Sequence, residues 1–243
     1  MATAHAVHQR DHRSVLASAE KRLLIAIAHR LPRAVHSDHL TTLALVAMGL
    51  AALGFGLMRA SPWGVALVIA GLVLNWFGDS LDGTLARVRG HERPRFGYYV
   101  DHVIDLSGTA ALFIGLGVSG LMSPLMAAAV LAAYLLVAAE VYLATHAGGI
   151  FRMSWGGVGP TELRIVLVTG ALYAAGHPTV NVPVLGTLPL FDVGGAVSLG
   201  GLALAFVVSA ARQTRALFAL EPRPASVPMN AVVPQVRTAA ESR

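Results

Sequence analysis

Four aspartates stand within 27 residues of one another, Asp79, Asp82, Asp101 and Asp105. A spacing of three puts the first pair on one helical face, and a spacing of four does the same for the second. They occur in a chain of which 55% is hydrophobic and only 13% charged. An aspartate at the centre of a membrane helix costs about 2.5 to 3.5 kcal/mol, so four approach ~10 to 14 kcal/mol, less whatever nearness to the interface relieves. Protons, local arginines or metal ions would offset that cost. Protonation wastes four acidic positions and the arginines are better placed to meet water or phosphate, whereas hard divalent cations prefer oxygen ligands and neutralise both pairs. A single such pair at a helix end reads as well as a solvated cap or an ion pair. Two pairs beside small residues favour the metal. Gly83 and Ala86 lie on or near the aspartate face and leave room for a ligand to approach the backbone. Arg87, one turn further on, is either a phosphate partner or an interfacial anchor.

The elements that carry these residues follow from composition. At 243 residues with so few charges the chain is too apolar for an ordinary soluble domain. The stretch from Leu106 to Ala139 holds no Asp, Glu, Lys or Arg and is long enough to cross a bilayer with a second crossing begun. Mostly uncharged segments predict an all-α integral membrane protein with six transmembrane helices: His39 to Met58, Ala60 to Gly78, Gly97 to Ser119, Leu125 to His146, Gly159 to Ala175 and Val193 to Ala211. The Gly- and Pro-rich stretch Gly176 to Asp192 is expected in the outer interface. With the N-terminus inside, 17 of the 18 Lys and Arg residues fall on the inner side and Arg59 alone outside. That asymmetry orients the helices by the positive-inside rule and explains the basic pI of about 10.2 without nucleic acid. The absence of cysteine excludes disulfides, Cys-ligated metals and a thiol nucleophile.

Ahead of the first span, residues 15–31 read as an interfacial amphipathic helix, with Leu23, Ile27 and Leu31 on the apolar side and Glu20, Lys21, Arg22, His29 and Arg30 on the polar side. Residues 1–14 are expected to form a disordered leader and 220–243 a disordered cytoplasmic tail with four prolines. One membrane domain, 15–219, lies between them.

The pattern D-x-x-D-G-x-x-A-R, a spacer, then G-x-x-x-D-x-x-x-D resembles the signature of the CDP-alcohol phosphotransferases. Every specified letter is present, at Asp79, Asp82, Gly83, Ala86, Arg87, Gly97, Asp101 and Asp105. The spacer of nine residues, rather than the commoner eight, bears on loop geometry alone. The resemblance implies an enzyme that moves a substituted phosphate from a CDP-alcohol to the hydroxyl of an acceptor alcohol, releasing CMP. It implies two divalent ions, Mg2+ or Mn2+, held by Asp79, Asp82, Asp101 and Asp105, with Asp105 also the general base. It implies a CDP pocket at Gly83, Ala86 and Arg87, joined by Asp38 and Thr41, although Ser37 stands where the family carries proline and Asp38 also suits a helix cap. It further implies phospholipid synthesis, at least one lipid substrate, assembly as a homodimer, and a bacterial-type inner membrane with the site facing the cytoplasm.

Donor and acceptor are less constrained. Glu140, Glu162 and Arg164 are acceptor or headgroup candidates: Glu140 is a lone acid within a span, and Glu162 and Arg164 follow Pro160 near the inner end of span five. Glu140 also suits a hydrogen-bonded helix contact, and Glu162 the first turn of a helix. The sequence favours a CDP-diacylglycerol-dependent phosphatidyltransferase. A choline or ethanolamine phosphotransferase, whose region around Tyr142 to Arg164 is somewhat similar, is the alternative. A cation channel is a distant one, because its acids would be spread through the membrane thickness.

Overall fold

A computed structural model describes residues 17–148 and 160–221. It contains seven helices: α1 (Ala17–Arg30), α2 (Ser37–Leu57), α3 (Trp63–Arg89), α4 (Pro94–Ser119), α5 (Pro124–Gly148), α6 (Pro160–Gly176) and α7 (Leu190–Leu220). The expected leader, most of the expected tail, and residues 149–159, expected on the inner side between the fourth and fifth spans, lie outside the described residues. Among the described residues five helices, α2, α3, α4, α5 and α7, are long and apolar enough to cross a membrane. The all-α expectation needs one amendment. The outer segment Gly176 to Asp192 holds an antiparallel hairpin, β1 (Thr179–Val182) with β2 (Gly186–Pro189), in register Val180 to Leu188. Its β-branched run and the Pro-Val-Leu-Gly turn allow backbone groups to pair where the chain leaves one helix for the next.

Helix ends follow local chemistry. Pro94, Pro124 and Pro160 stand at the first positions of α4, α5 and α6, where a missing N–H costs nothing. Gly90 closes α3 and Gly120 closes α4, each in the left-handed region at φ 67° and 71°. The start of α2 is capped not by Asp38 but at His36, whose backbone N–H donates to His39 Nδ1 at 3.2 Å. Asp38 sits in the first turn and pairs with Arg93.

Small residues set the packing. On α2, Ala44, Ala47, Ala51 and Gly54 are buried at alternating spacings of three and four, the stripe that lets membrane helices meet backbone to backbone. Gly64, Gly71 and Gly78 repeat every seven residues on α3. A Cβ at Gly71 would lie 2.5 Å from the Ala51 nitrogen, and one at Gly78 2.5 Å from the Leu40 carbonyl oxygen. On α4, Cβ atoms at Gly108 and Gly115 would drive into Met48 and the Ala52 backbone. Both aspartate-bearing helices are thus pressed against one α2. Phe55, Val68, Leu72, Leu112 and Leu116 fill the space this leaves and continue to Ala171 of α6 and Phe191 of α7.

The helices alternate in direction. Asp192 at the start of α7 accepts from the Ser123 N–H at the start of α5 at 2.6 Å, and Gln213 reaches the Ala144 carbonyl near their other ends. These two therefore run side by side away from the hairpin. Helix α6 returns toward the hairpin: Thr161 meets α1, and Gly170 abuts Phe191. Helix α1 packs on the end of α3 far from the hairpin, with Ile27 and Leu31 of the expected stripe at the contact but with its centre shifted round the helix. Leu24 and Ala28 are buried, Glu20 shares their stripe, and Leu23 is 50% exposed. Arg89, at the end of α3, donates to the carbonyls of Leu31, Pro32 and Val35, tying down the link between α1 and α2.

Candidate active site

The aspartates of the sequence pattern lie two to three turns inside the C-terminal end of α3, which adjoins α1, and the N-terminal end of α4. Ten residues separate Asp79 from Arg89, about 15 Å of helix, and seven separate Asp101 from Pro94, about 10 Å. Helix α3 has 27 residues, about 40 Å, which exceeds a ~30 Å hydrocarbon core, so part of it extends beyond that core.

Asp79, Asp101 and Asp105 converge. Each offers a carboxylate oxygen, and the three oxygens lie within 4.8 Å of one another. Asp82 stands outside that group. Its carboxylate accepts from Thr41 Oγ1 of α2 at 2.6 Å and from the N–H of Gly83, while remaining close enough to repel Asp79 and Asp101. Thr41 is therefore a partner of Asp82, bonded in turn to the Ser37 carbonyl at 3.0 Å. Ala86 and Asp38 both border a cavity of about 190 Å³ at the α1 end, together with Ser37, Leu85, Arg89 and Arg93. Arg87 is exposed and folds back over Gly83: its Nη1 would be 3.3 Å from a Cβ there, and its Nη2 donates to Thr84 Oγ1 at 3.1 Å.

Of the acceptor-side candidates, Arg164 reaches the aspartate cluster directly. Its Nη2 donates to Asp79 Oδ2 at 2.6 Å and its Nε to Asn75 Oδ1 at 2.8 Å. Asn75 is buried and donates from Nδ2 to the Ala44 carbonyl at 3.1 Å. The guanidinium is thus fixed by a chain running from the α2 backbone through α3. Glu140 is buried on α5, where one carboxylate oxygen finds no hydrogen-bond partner among the described residues. Glu162 stands in the first turn of α6.

Several groups at the site carry no sequence signature. Asn75 lies inside an apolar run and resembles an isolated polar residue until Arg164 is placed beside it. His102, buried one residue after Asp101, has Nδ1 at 2.7 Å from the Tyr98 carbonyl oxygen and sits between the rings of Tyr98 and Tyr142, at centroid distances of 4.2 and 5.0 Å. These aromatics wall the α4 side of the cluster. Periodicity points to His102 only through its place three residues before Asp105.

The donor set suits a hard divalent cation. Three carboxylates share the cluster with a single arginine, so negative charge is in excess even before Asp82 is counted. Divalent ions bind oxygen at about 2.0 to 2.6 Å, so oxygens less than 4.8 Å apart need little movement to share one.

Comparison with known proteins agrees with this arrangement. The family model for CDP-alcohol phosphatidyltransferase matches residues 35–214, which include every helix from α2 to most of α7. The chain belongs to the CDP-alcohol phosphatidyltransferase family and is a membrane-embedded transferase of that type. The fold is similar to that of phosphatidylinositol phosphate synthase from Mycobacterium tuberculosis. One crystal structure of that synthase, with CDP-DAG bound, aligns at TM-score 0.55 and 24% identity over 84% of this chain and 100% of that one. A second, in complex with manganese and citrate, aligns at TM-score 0.56 and 24% identity over 83% of this chain and 93% of that one. At this identity the likeness speaks for the fold. Curated proteins give no match.

Proposed function

We propose that the chain transfers a phosphatidyl group from CDP-diacylglycerol to the hydroxyl of a polar acceptor, with release of CMP, at a divalent-metal site formed by Asp79, Asp82, Asp101 and Asp105. The observation that carries the reading is the convergence of three carboxylate oxygens from α3 and α4 within 4.8 Å, in a member of this family. Two ions, Mg2+ or Mn2+, would when bound neutralise charge on the entering and leaving oxygens. The chain's own residues supply the rest. Asp105 accepts the proton of the acceptor hydroxyl as its oxygen bonds to the β-phosphorus and the bond from that phosphorus to CMP breaks. Gly83 and Ala86 leave the α3 backbone open to the nucleotide, and the cavity beside Asp38 and Ala86 lies at hand for part of it. Arg87 meets the diphosphate. Thr41 orients Asp82.

The acceptor we propose is anionic. Arg164 brings a fixed positive charge to the cluster, which favours a phosphate- or carboxylate-bearing alcohol over a cationic aminoalcohol; Glu140 and Glu162 are the groups on which a CDP-choline or CDP-ethanolamine reading would rest. Purified protein with Mn2+ should release CMP from CDP-diacylglycerol when offered glycerol phosphate, inositol phosphate or serine, with the lipid product identified by mass spectrometry. CMP released only from CDP-choline or CDP-ethanolamine with diacylglycerol would select the alternative, and no CMP from any pair would refute the enzymatic reading.

The membrane arrangement we propose has six crossings. Helix α6 has 17 residues, about 25 Å, enough to cross where the bilayer thins locally, and its direction is opposite to that of α5. Helix α1 lies in the cytoplasmic interface of a bacterial-type inner membrane with Leu23 toward the acyl region. The assembly is a homodimer, and crosslinking in native membranes tests it.

A further inference from the structure

We propose that Glu20 of α1 is a positioning residue for the aspartate cluster, tethering the first turn of α6 to α3 so that Arg164 is held on Asp79. The proposal rests on the metal-site reading above. Glu20 Oε1 accepts from Trp76 Nε1 at 2.7 Å, from Ser80 Oγ at 3.3 Å and from Thr161 Oγ1 at 3.0 Å, and Thr161 Oγ1 also lies 3.2 Å from Oε2. Trp76 and Ser80 are one turn apart on α3 and bracket Asp79; Thr161 is one turn before Arg164 on α6. A single carboxylate thus joins three helices immediately beside the cluster.

The apolar packing of α6 does not perform this task. Its buried residues, Ala171 and Ala174, belong to the half nearer the hairpin, whereas Leu163, Ile165 and Val166 in the first half are 52%, 51% and 65% exposed. The near half is held by polar ties: Thr161 to Glu20, and Arg164 to Asn75 and Asp79. Removal of the Glu20 tie frees the turn that carries Arg164, and the guanidinium then loses its fixed approach to Asp79. Groups that orient a metal ligand from outside the coordination shell typically change metal affinity or activity by about ten- to a hundredfold.

The chain's lack of cysteine makes the test direct. Spin labels at Leu163→Cys on α6 and Ile114→Cys on α4, both exposed positions, report the placement of α6 by pulsed dipolar spectroscopy in full-length protein in nanodiscs. Mn2+ affinity is read by titration, and CMP release in parallel. Glu20→Ala, and Thr161→Val, which deletes the α6 arm while leaving α1 bonded to α3, should each broaden the distance distribution and weaken Mn2+ binding about tenfold. Glu20→Gln, which keeps an acceptor oxygen, should restore a narrow distribution and near-normal affinity. Unchanged distances and Mn2+ affinity in Thr161→Val, with CMP release intact, would overturn the tether and leave the enzymatic reading standing. Broadened distances in a protein that neither binds Mn2+ nor releases CMP before mutation would support the tether and refute the metal-site reading.

Discussion

Helices α3 and α7 are both long, apolar and rich in glycine, yet they spend that composition differently. On α3 the glycines at 64, 71 and 78 press against the backbone of α2, and nine residues of the helix are buried. On α7 the glycines at 194, 200 and 201 face open space, Gly195 alone is buried among the described residues, and Val197, Leu204 and Val207 are at least 60% exposed. One helix uses small side chains to bring backbones together; the other presents large ones outward, to lipid or to a second subunit. Apolar content therefore identifies a crossing, whereas small residues in backbone contact, not their spacing alone, distinguish the crossing that holds the site. Carboxylates can be placed to within a few ångströms only on helices whose separation is fixed by backbone contact.

Mutation tests that contrast. The largest effect is expected at the cluster itself: Asp105→Asn should lower CMP release by about a thousandfold, the scale of a lost general base, while leaving thermal unfolding in detergent close to normal. Next comes the seam. Gly71→Leu must displace the Ala51 backbone and should destabilise the protein by about 3 kcal/mol, read by thermal unfolding, and reduce activity with it. Asn75→Ala removes the acceptor that fixes the Arg164 Nε and should weaken Mn2+ binding about tenfold with a smaller change in stability. The smallest effect belongs to α7: Gly200→Leu meets no neighbour within 4 Å and should alter stability by no more than about 0.5 kcal/mol. Equal losses from Gly71→Leu and Gly200→Leu would dissolve the distinction between the two helices.

Much of the site was legible because its information is local. Spacings of three and four on two neighbouring helices announce the aspartates, and Gly83 and Ala86 are small beside them. The family signature over those positions extends the reading to the chemistry. Other features depend on contacts between distant positions. Nothing around Arg164 indicates Asp79 as its partner, 85 positions away. Asp82 reads as the equal of Asp79 until Thr41 arrives from α2. On α1 the apolar residues 23, 27 and 31 form a plausible stripe, and Ile27 and Leu31 do pack, but the centre of the packed face is Leu24 and Ala28, with Glu20 in line, and Leu23 lies outside it. An acid in that face looks like a surface charge in the sequence, because the Trp76, Ser80 and Thr161 donors that accommodate it come from two other helices. The hairpin was hidden in a short Gly- and Pro-rich stretch where periodicity is too brief to separate strand from turn.

The three carbonyls that Arg89 gathers from the end of α1 and the residues after it have a mechanical consequence. A bilayer thinner than α3 forces that helix to lean, and α1, bolted to its tip, has to lean with it. Changes in lipid thickness would thus be felt as a rotation of one rigid lever, with the aspartates near its fulcrum, rather than as slack taken up in the connecting turn.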